Sequence, residues 1–148
     1  MIFSGRRCDL MDNGTKIIML PSRKVSLYGK DIVLHRGKYR GQEHFIGYKT
    51  VTDKMQSLGL DGNKCILTFK MGEWFFLPIG SIEKGNEGWG GIWLARTPSG
   101  AEKLREYILA KYYQETKVFK ALVSDKILYA NNYRIKTEGV CLVEEIMK

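Results

Sequence analysis

The sequence predicts an α+β fold, with one main helix packed on a mostly antiparallel sheet in a single compact domain over residues 1–148. Three observations predict it. One stretch, Pro98–Tyr113, combines helical spacing with start signals. Around it lie short apolar runs at period two, separated by Gly- and Asn-centred turns. The length of 148 residues with 44% apolar residues suits one hydrophobic core.

The helix rests on several signals. Thr97 is placed to cap it, Pro98 suits the first helical position, and Ser99 with Glu102 offers a capping box one frame later. Ala101, Leu104, Ile108 and Tyr112 form one apolar face, with Glu102, Lys103, Arg105, Glu106 and Lys111 mostly opposite. Before the helix, Gly91–Ala95 reads as a short buried strand entered through a glycine turn. After it, Lys117–Val123 places Phe119, Ala121 and Val123 on one face, and Val140, Leu142 and Ile146 do the same near the end. This strand–helix–strand order is compatible with a parallel crossover.

The earlier part of the chain reads as hairpins. Met1–Asn13 is expected to be a strand or arm, followed by an Asn13-Gly14 turn and an apolar run Lys16–Leu20 stopped by Pro21. Val25–Tyr28 and Asp31–Leu34 flank a Gly29-Lys30 turn. Glu43–Val51 is a strand with Phe45, Gly47 and Lys49 on one face and Ile46, Tyr48 and Thr50 on the other. Thr52–Asn63 is expected to be a turn or short helix with a loop. Cys65–Phe69 and Glu73–Leu77 read as a hairpin about Met71-Gly72, with Trp74–Leu77 buried, and Gly80–Gly91 as a glycine-rich connection containing Trp89.

The formal charge of +8 is uneven: Met1–Lys49 holds ten Lys/Arg against four Asp/Glu, a net +6. Such asymmetry fits a polyanionic partner, nucleic acid above all, or equally a solvated lysine-rich surface. Within this third, His35–Gly41 interleaves Arg36, Lys38 and Arg40 with Gly37, Gly41 and Tyr39, the composition of an anion-facing loop. Cys8, Cys65 and Cys141 are widely spaced and odd in number, and His35 and His44 lie nine residues apart, so neither a disulfide framework nor a metal site is expected. With no apolar run of membrane-spanning length and no signal-peptide core, a cytoplasmic protein is expected.

Catalytic motifs are missing: there is no GxSxG, no phosphate-binding P-loop and no GxGxxG. Glu144 and Glu145 are adjacent on a strand and so point to opposite faces, which excludes a paired acid and base. Glu144 shares its predicted face with Leu142 and Ile146, which sets it at a sheet edge in water or turns it inward for a purpose.

Two resemblances follow from short motifs. Gly47-Tyr48-Lys49, the Phe69/Gly72/Phe75 pattern, Gly91-Ile92-Trp93, the Val118-Phe119-Lys120-Ala121 strand and a closing Arg134-Ile135-Lys136 with Glu144-Glu145-Ile146 resemble a family of small phage and prophage domains of unknown function over residues 45–146. That resemblance implies a phage or prophage origin and no particular chemistry. Together with the basic composition it gives the expectation of a small basic accessory protein that acts by binding nucleic acid or a host protein, without a cofactor, and the charge asymmetry and the glycines around them make Arg36, Lys38 and Arg40 its candidate anion-binding residues. Separately, Leu34-His35-Arg36-Gly37, then Gly91-Ile92-Trp93-Leu94-Ala95, then Glu144 on a late strand look like the successive motifs of ADP-ribosyltransferase-like folds. This second resemblance implies an NAD-using transferase in which His35, Trp93 and Glu144 line the pocket.

Overall fold

The computed structural model describes residues 16–27, 29–58, 66–77 and 91–147. The readings made for Met1–Asn13, the Asn13-Gly14 turn, Cys8, Cys65 and Trp89 lie outside the described residues. Among the described residues nine strands and one helix follow in the order β1 (Ile18–Leu27), β2 (Lys30–Tyr39), β3 (Gln42–Thr52), β4 (Trp74–Phe76), β5 (Ile92–Ala95), α1 (Pro98–Tyr112), β6 (Thr116–Val123), β7 (Ile127–Ala130), β8 (Arg134–Thr137) and β9 (Gly139–Met147). This is the expected α+β arrangement, with every strand pairing antiparallel.

The sheet branches at β3. One edge of β3 pairs along its length with β6, from Phe45 opposite Val123 to Thr52 opposite Thr116. Its other edge is shared. Gln42–Ile46 pairs with β2, while further along Tyr48 pairs with Ala95 of β5. From there one branch runs β2 to β1 and the other β5, β8, β7, and β1 comes back beside β7. β9 lies outside β6, and β4 forms the far edge. β5 and β6 are both antiparallel to β3, so they run parallel to each other, and α1 is the crossover between them.

Two cores result from the alternation of side chains. Leu34, Val51, Ile92, Leu94, Phe119, Ala121, Ile135 and Leu142 meet between the two branches. On the other face Ile46, Tyr48, Val118, Leu122, Cys141 and Val143 pack with Ala101 of α1. The Thr97 hydroxyl accepts the Gly100 amide at 3.1 Å, so Thr97, and not the alternative box at Ser99, caps the helix. The helix closes on Tyr113 in the left-handed region.

Several expectations are corrected by this topology. Pro21 does not end a strand: β1 runs through it, and the register skips between Leu20 and Arg23. Proline is tolerated there because β1 pairs only with β2 and the bulge requires no ladder donor. The predicted Met71-Gly72 hairpin does not form between its two flanks. The turn is present, with Gly72 at φ 78°, but β4 pairs with β9, and Thr68 bridges Gln56. As an edge strand β4 buries one side, so Trp74 and Phe76 are exposed and stacked on each other, and Phe75 turns inward onto Phe69. On α1, Ala101 and Ile108 are buried, whereas Leu104 is half-buried and Tyr112 exposed. Ile146 does not continue the face of Val140 and Leu142. β9 carries an extra residue between Leu142 and Glu144 and another between Glu145 and Met147, and each reverses the alternation.

Candidate functional site

The branching of the sheet leaves a gap. Past Tyr48 and Ala95, β3 and β5 diverge, so the backbone pairing that would bring Lys49 and Thr50 against Leu94 and Trp93 is missing. The gap opens into a cleft of about 350 Å³. Its walls are the tail of β3, the Ser57–Leu58 and Leu67 segment, β5, the first turns of α1 at Gly100, Lys103 and Leu104, and the β7–β8 turn at Tyr133 and Arg134. The Ser57 wall is held by the Ser57 amide donating to the Leu67 carbonyl at 2.8 Å and the Leu67 amide to the Ser57 hydroxyl at 2.9 Å.

Lys49 forms the floor. It belongs to the inward stripe of β3 with Phe45 and Val51, and only 9% of it is exposed. Its Nζ donates to the Trp93 carbonyl at 2.8 Å, in place of the ladder bond that the diverging strands cannot make. Burial pushes its pKa down from 10.5 to about 8. The next residue, Thr50, faces the helix side of β3, where it is buried and its hydroxyl has no hydrogen-bond partner among the described residues. Such a group costs free energy unless a ligand or water satisfies it. Arg134 stacks its guanidinium over the Trp93 ring, 4.2 Å from the centroid. Lys103 stands exposed on the helix above. Leu58, Leu67, Ile92, Leu94, Ala95 and Leu104 supply the apolar lining. Among the described residues that line the cleft none is acidic.

Two glycines keep the local geometry. Gly91 sits at φ 85°, and a Cβ there would lie 2.3 Å from Cγ of the fully buried Lys136. At Gly47 a Cβ would meet the Leu94 side chain at 2.9 Å, so the side chain that lines the cleft needs the space glycine leaves.

The residues singled out by sequence are distributed as follows. Trp93 lines the cleft. His35 does not, but its Nδ1 is hydrogen-bonded to the Tyr48 hydroxyl at 2.8 Å, and Tyr48 does line it. Burial lowers the His35 pKa, with Arg96 and Lys120 adding to the effect, and burial pushes Tyr48 up to about 12. Glu144 is placed opposite Lys120 and not on the Leu142 face, because the first β9 bulge turns it over. Lys120 in turn is opposite Tyr48, so Glu144 lies two strands from the cleft's rim on the helix side of the sheet. It lies beyond the part of β9 that β4 covers, and its carboxylate accepts the Ile17 amide at 2.7 Å. His35, Trp93 and Glu144 therefore share a face of the sheet without lining one pocket.

The anion-facing loop read into His35–Gly41 is a strand and a tight turn. β2 continues to Tyr39, and Arg40 and Gly41 form a two-residue connection with φ of 50° and 82°. Gly37 is required by Ile17, whose Cγ2 would be 2.4 Å from a Cβ at that position. Arg36 is engaged with Glu43 at 2.6 Å and with the Pro21 carbonyl at 3.1 Å. Lys38 is exposed, and Arg40 packs over the Tyr39 ring.

Sequence reasoning missed Lys49, Thr50, Lys103 and Arg134. A signal for Lys49 was present: it is the one charge in the Phe45, Gly47, Val51 stripe. Among the described residues no three His, Cys, Asp or Glu side chains gather as a metal site, and no helix is long and apolar enough to cross a membrane. No protein-family model, curated protein or solved structure matches the chain.

Proposed function

We propose that this protein is a binding domain for a small organic anion with an apolar or aromatic body, held in the cleft between β3 and β5. The observation that carries this reading is the convergence of Lys49, Lys103 and Arg134 on an apolar-walled cleft with no acid among its described lining residues. A buried lysine with a single hydrogen bond to a carbonyl retains donors for an anion. The Thr50 hydroxyl, unpartnered among the described residues, offers a further polar group on the helix side of β3, and Trp93 with Leu104 provides surface for a flat apolar body. The volume matches a ligand the size of an aromatic carboxylate or a nucleoside fragment, at the low end of ordinary ligand sites of roughly 300–1,000 Å³.

This reading shares Trp93 with the NAD-transferase expectation and assigns no role to Glu144. It also differs from an anion surface at Arg36, Lys38 and Arg40, where Arg36 already has a carboxylate partner. Calorimetric titration of phenylacetate and of phenyl phosphate tests it. Binding in the micromolar-to-millimolar range is expected, weakened about tenfold by Arg134→Ala, since a charge-assisted hydrogen bond contributes about 1.5–3 kcal/mol. Absence of heat with both ligands at concentrations on the order of 10 mM would remove the proposal.

A further inference from the structure

Lys49 has features that anion binding alone does not require. A cation meant only to attract an anion is less costly at a solvated rim, where Lys103 already stands. Lys49 is instead almost wholly buried at the cleft floor. None of the ion pairs among the described residues includes it, and its Nζ donates to a neutral carbonyl, that of Trp93. A methionine or leucine would fill the same space without desolvating an ammonium. An amine buried without a counter-charge in an apolar cleft is the arrangement of a nucleophilic lysine.

We infer that Lys49 condenses with the carbonyl group of an anionic oxo compound, a 2-oxo acid or an aldehyde bearing a carboxylate, to form an imine. The inference rests on the cleft reading above and narrows its ligand class. The Nζ lone pair attacks the carbonyl carbon, the C=O electron pair moves to oxygen, and that oxygen takes a proton to give a carbinolamine. Loss of the hydroxyl as water leaves the imine, so the balance is amine plus carbonyl to imine plus water, with no change of oxidation state. The proton taken up by the carbinolamine oxygen is the one the attacking nitrogen gives up, carried by solvent water in the cleft. Arg134 and Lys103 hold the carboxylate away from the reacting carbon. The lowered basicity of the buried amine raises the fraction able to attack near neutral pH.

The experiment treats the full chain with phenylpyruvate and sodium cyanoborohydride and then maps adducts by peptide mass spectrometry. In parallel, phenylacetate, which lacks the ketone, is titrated calorimetrically. The expected result is one dominant adduct on Lys49, with the mass of phenylpyruvate less water plus two hydrogens. It should be suppressed by excess phenylacetate and absent from Lys49→Arg, which keeps the charge but forms no imine. Because the site is mapped on the unaltered protein, the reading does not depend on the variant folding. Phenylacetate binding without a Lys49 adduct overturns the imine and leaves the anion cleft standing. Neither binding nor an adduct overturns both. Adducts spread evenly over Lys103 and surface lysines overturn the assignment to Lys49.

Discussion

Replacing Lys49 with Met should change the pH dependence of stability in a way no surface lysine would. Burial takes the ammonium from 10.5 to about 8. The folded value lies below the unfolded one, so between the two the unfolded chain holds more protons, and stability rises with pH across that interval. Below about pH 8 both states are protonated and the whole penalty is present, about 3 kcal/mol; above roughly pH 10.5 it has gone. From pH 7 to about 9.5 the recovery is about 2 kcal/mol. Lys49→Met removes the titrating group and forfeits only the bond to the Trp93 carbonyl, a cost that does not vary over this range. Urea unfolding of both proteins at a series of pH values is the assay. The difference, wild type minus variant, should climb by about 2 kcal/mol between pH 7 and about 9.5. Tyr48 and Cys141 are raised by burial and titrate in both proteins, so they cancel in the subtraction. Two parallel curves would mean that the amine titrates as it does in water, and the account of the cleft floor would fall with it.

Three further outcomes are expected. Ile108→Ala, which empties a fully buried position, should cost about 2–5 kcal/mol, whereas Leu104→Ala at its half-buried position should cost clearly less; equal losses in thermal melts would place Leu104 in the core and not on the cleft wall. Gly91→Ala should destabilise by about 1–3 kcal/mol, because the methyl meets the stem of Lys136 and the backbone is left-handed there, and an unchanged melt would show that this stem is free to move. Single-stranded DNA binding at low salt should be indifferent to Arg36→Ala with Lys38→Ala, since Arg36 is already paired with Glu43; a large loss with a reduced salt slope would restore the basic face of β2 as a nucleic-acid surface.

The elements legible in the sequence are those whose signals are local. α1 is bounded by Thr97 and Pro98 at one end, and β5 and β6 by their apolar alternation. The partner of β4 was not legible, because Met71-Gly72 reads as a hairpin turn whichever strand follows, and pairing with β9 is decided some 65 positions downstream, as Phe75 opposite Val140 shows. The orientation of Glu144 was hidden for a different reason. A bulge adds one residue without any marker in composition, yet it inverts the side chains that follow it up to the next bulge. The cleft itself arises from a missing pairing, which no residue pattern announces. Only the lysine in the Phe45–Val51 stripe pointed toward it.

The branching of the sheet at β3 also governs how the chain can be assembled. β1, β2 and β3 form a meander of neighbours that can pair as soon as they exist. The other edge of β3 waits: Thr52 meets Thr116, 64 positions later, and until then a row of backbone donors and acceptors beside Ile46, Tyr48 and Val51 is uncovered. Loop-closure entropy must be met before that pairing is rewarded, which makes it slow relative to the meander. An exposed apolar edge of this kind is the template on which another copy can pair. Conditions that delay β6, such as high concentration on refolding or truncation before Thr116, should therefore lead to aggregation seeded at β3 and not to a smaller folded unit.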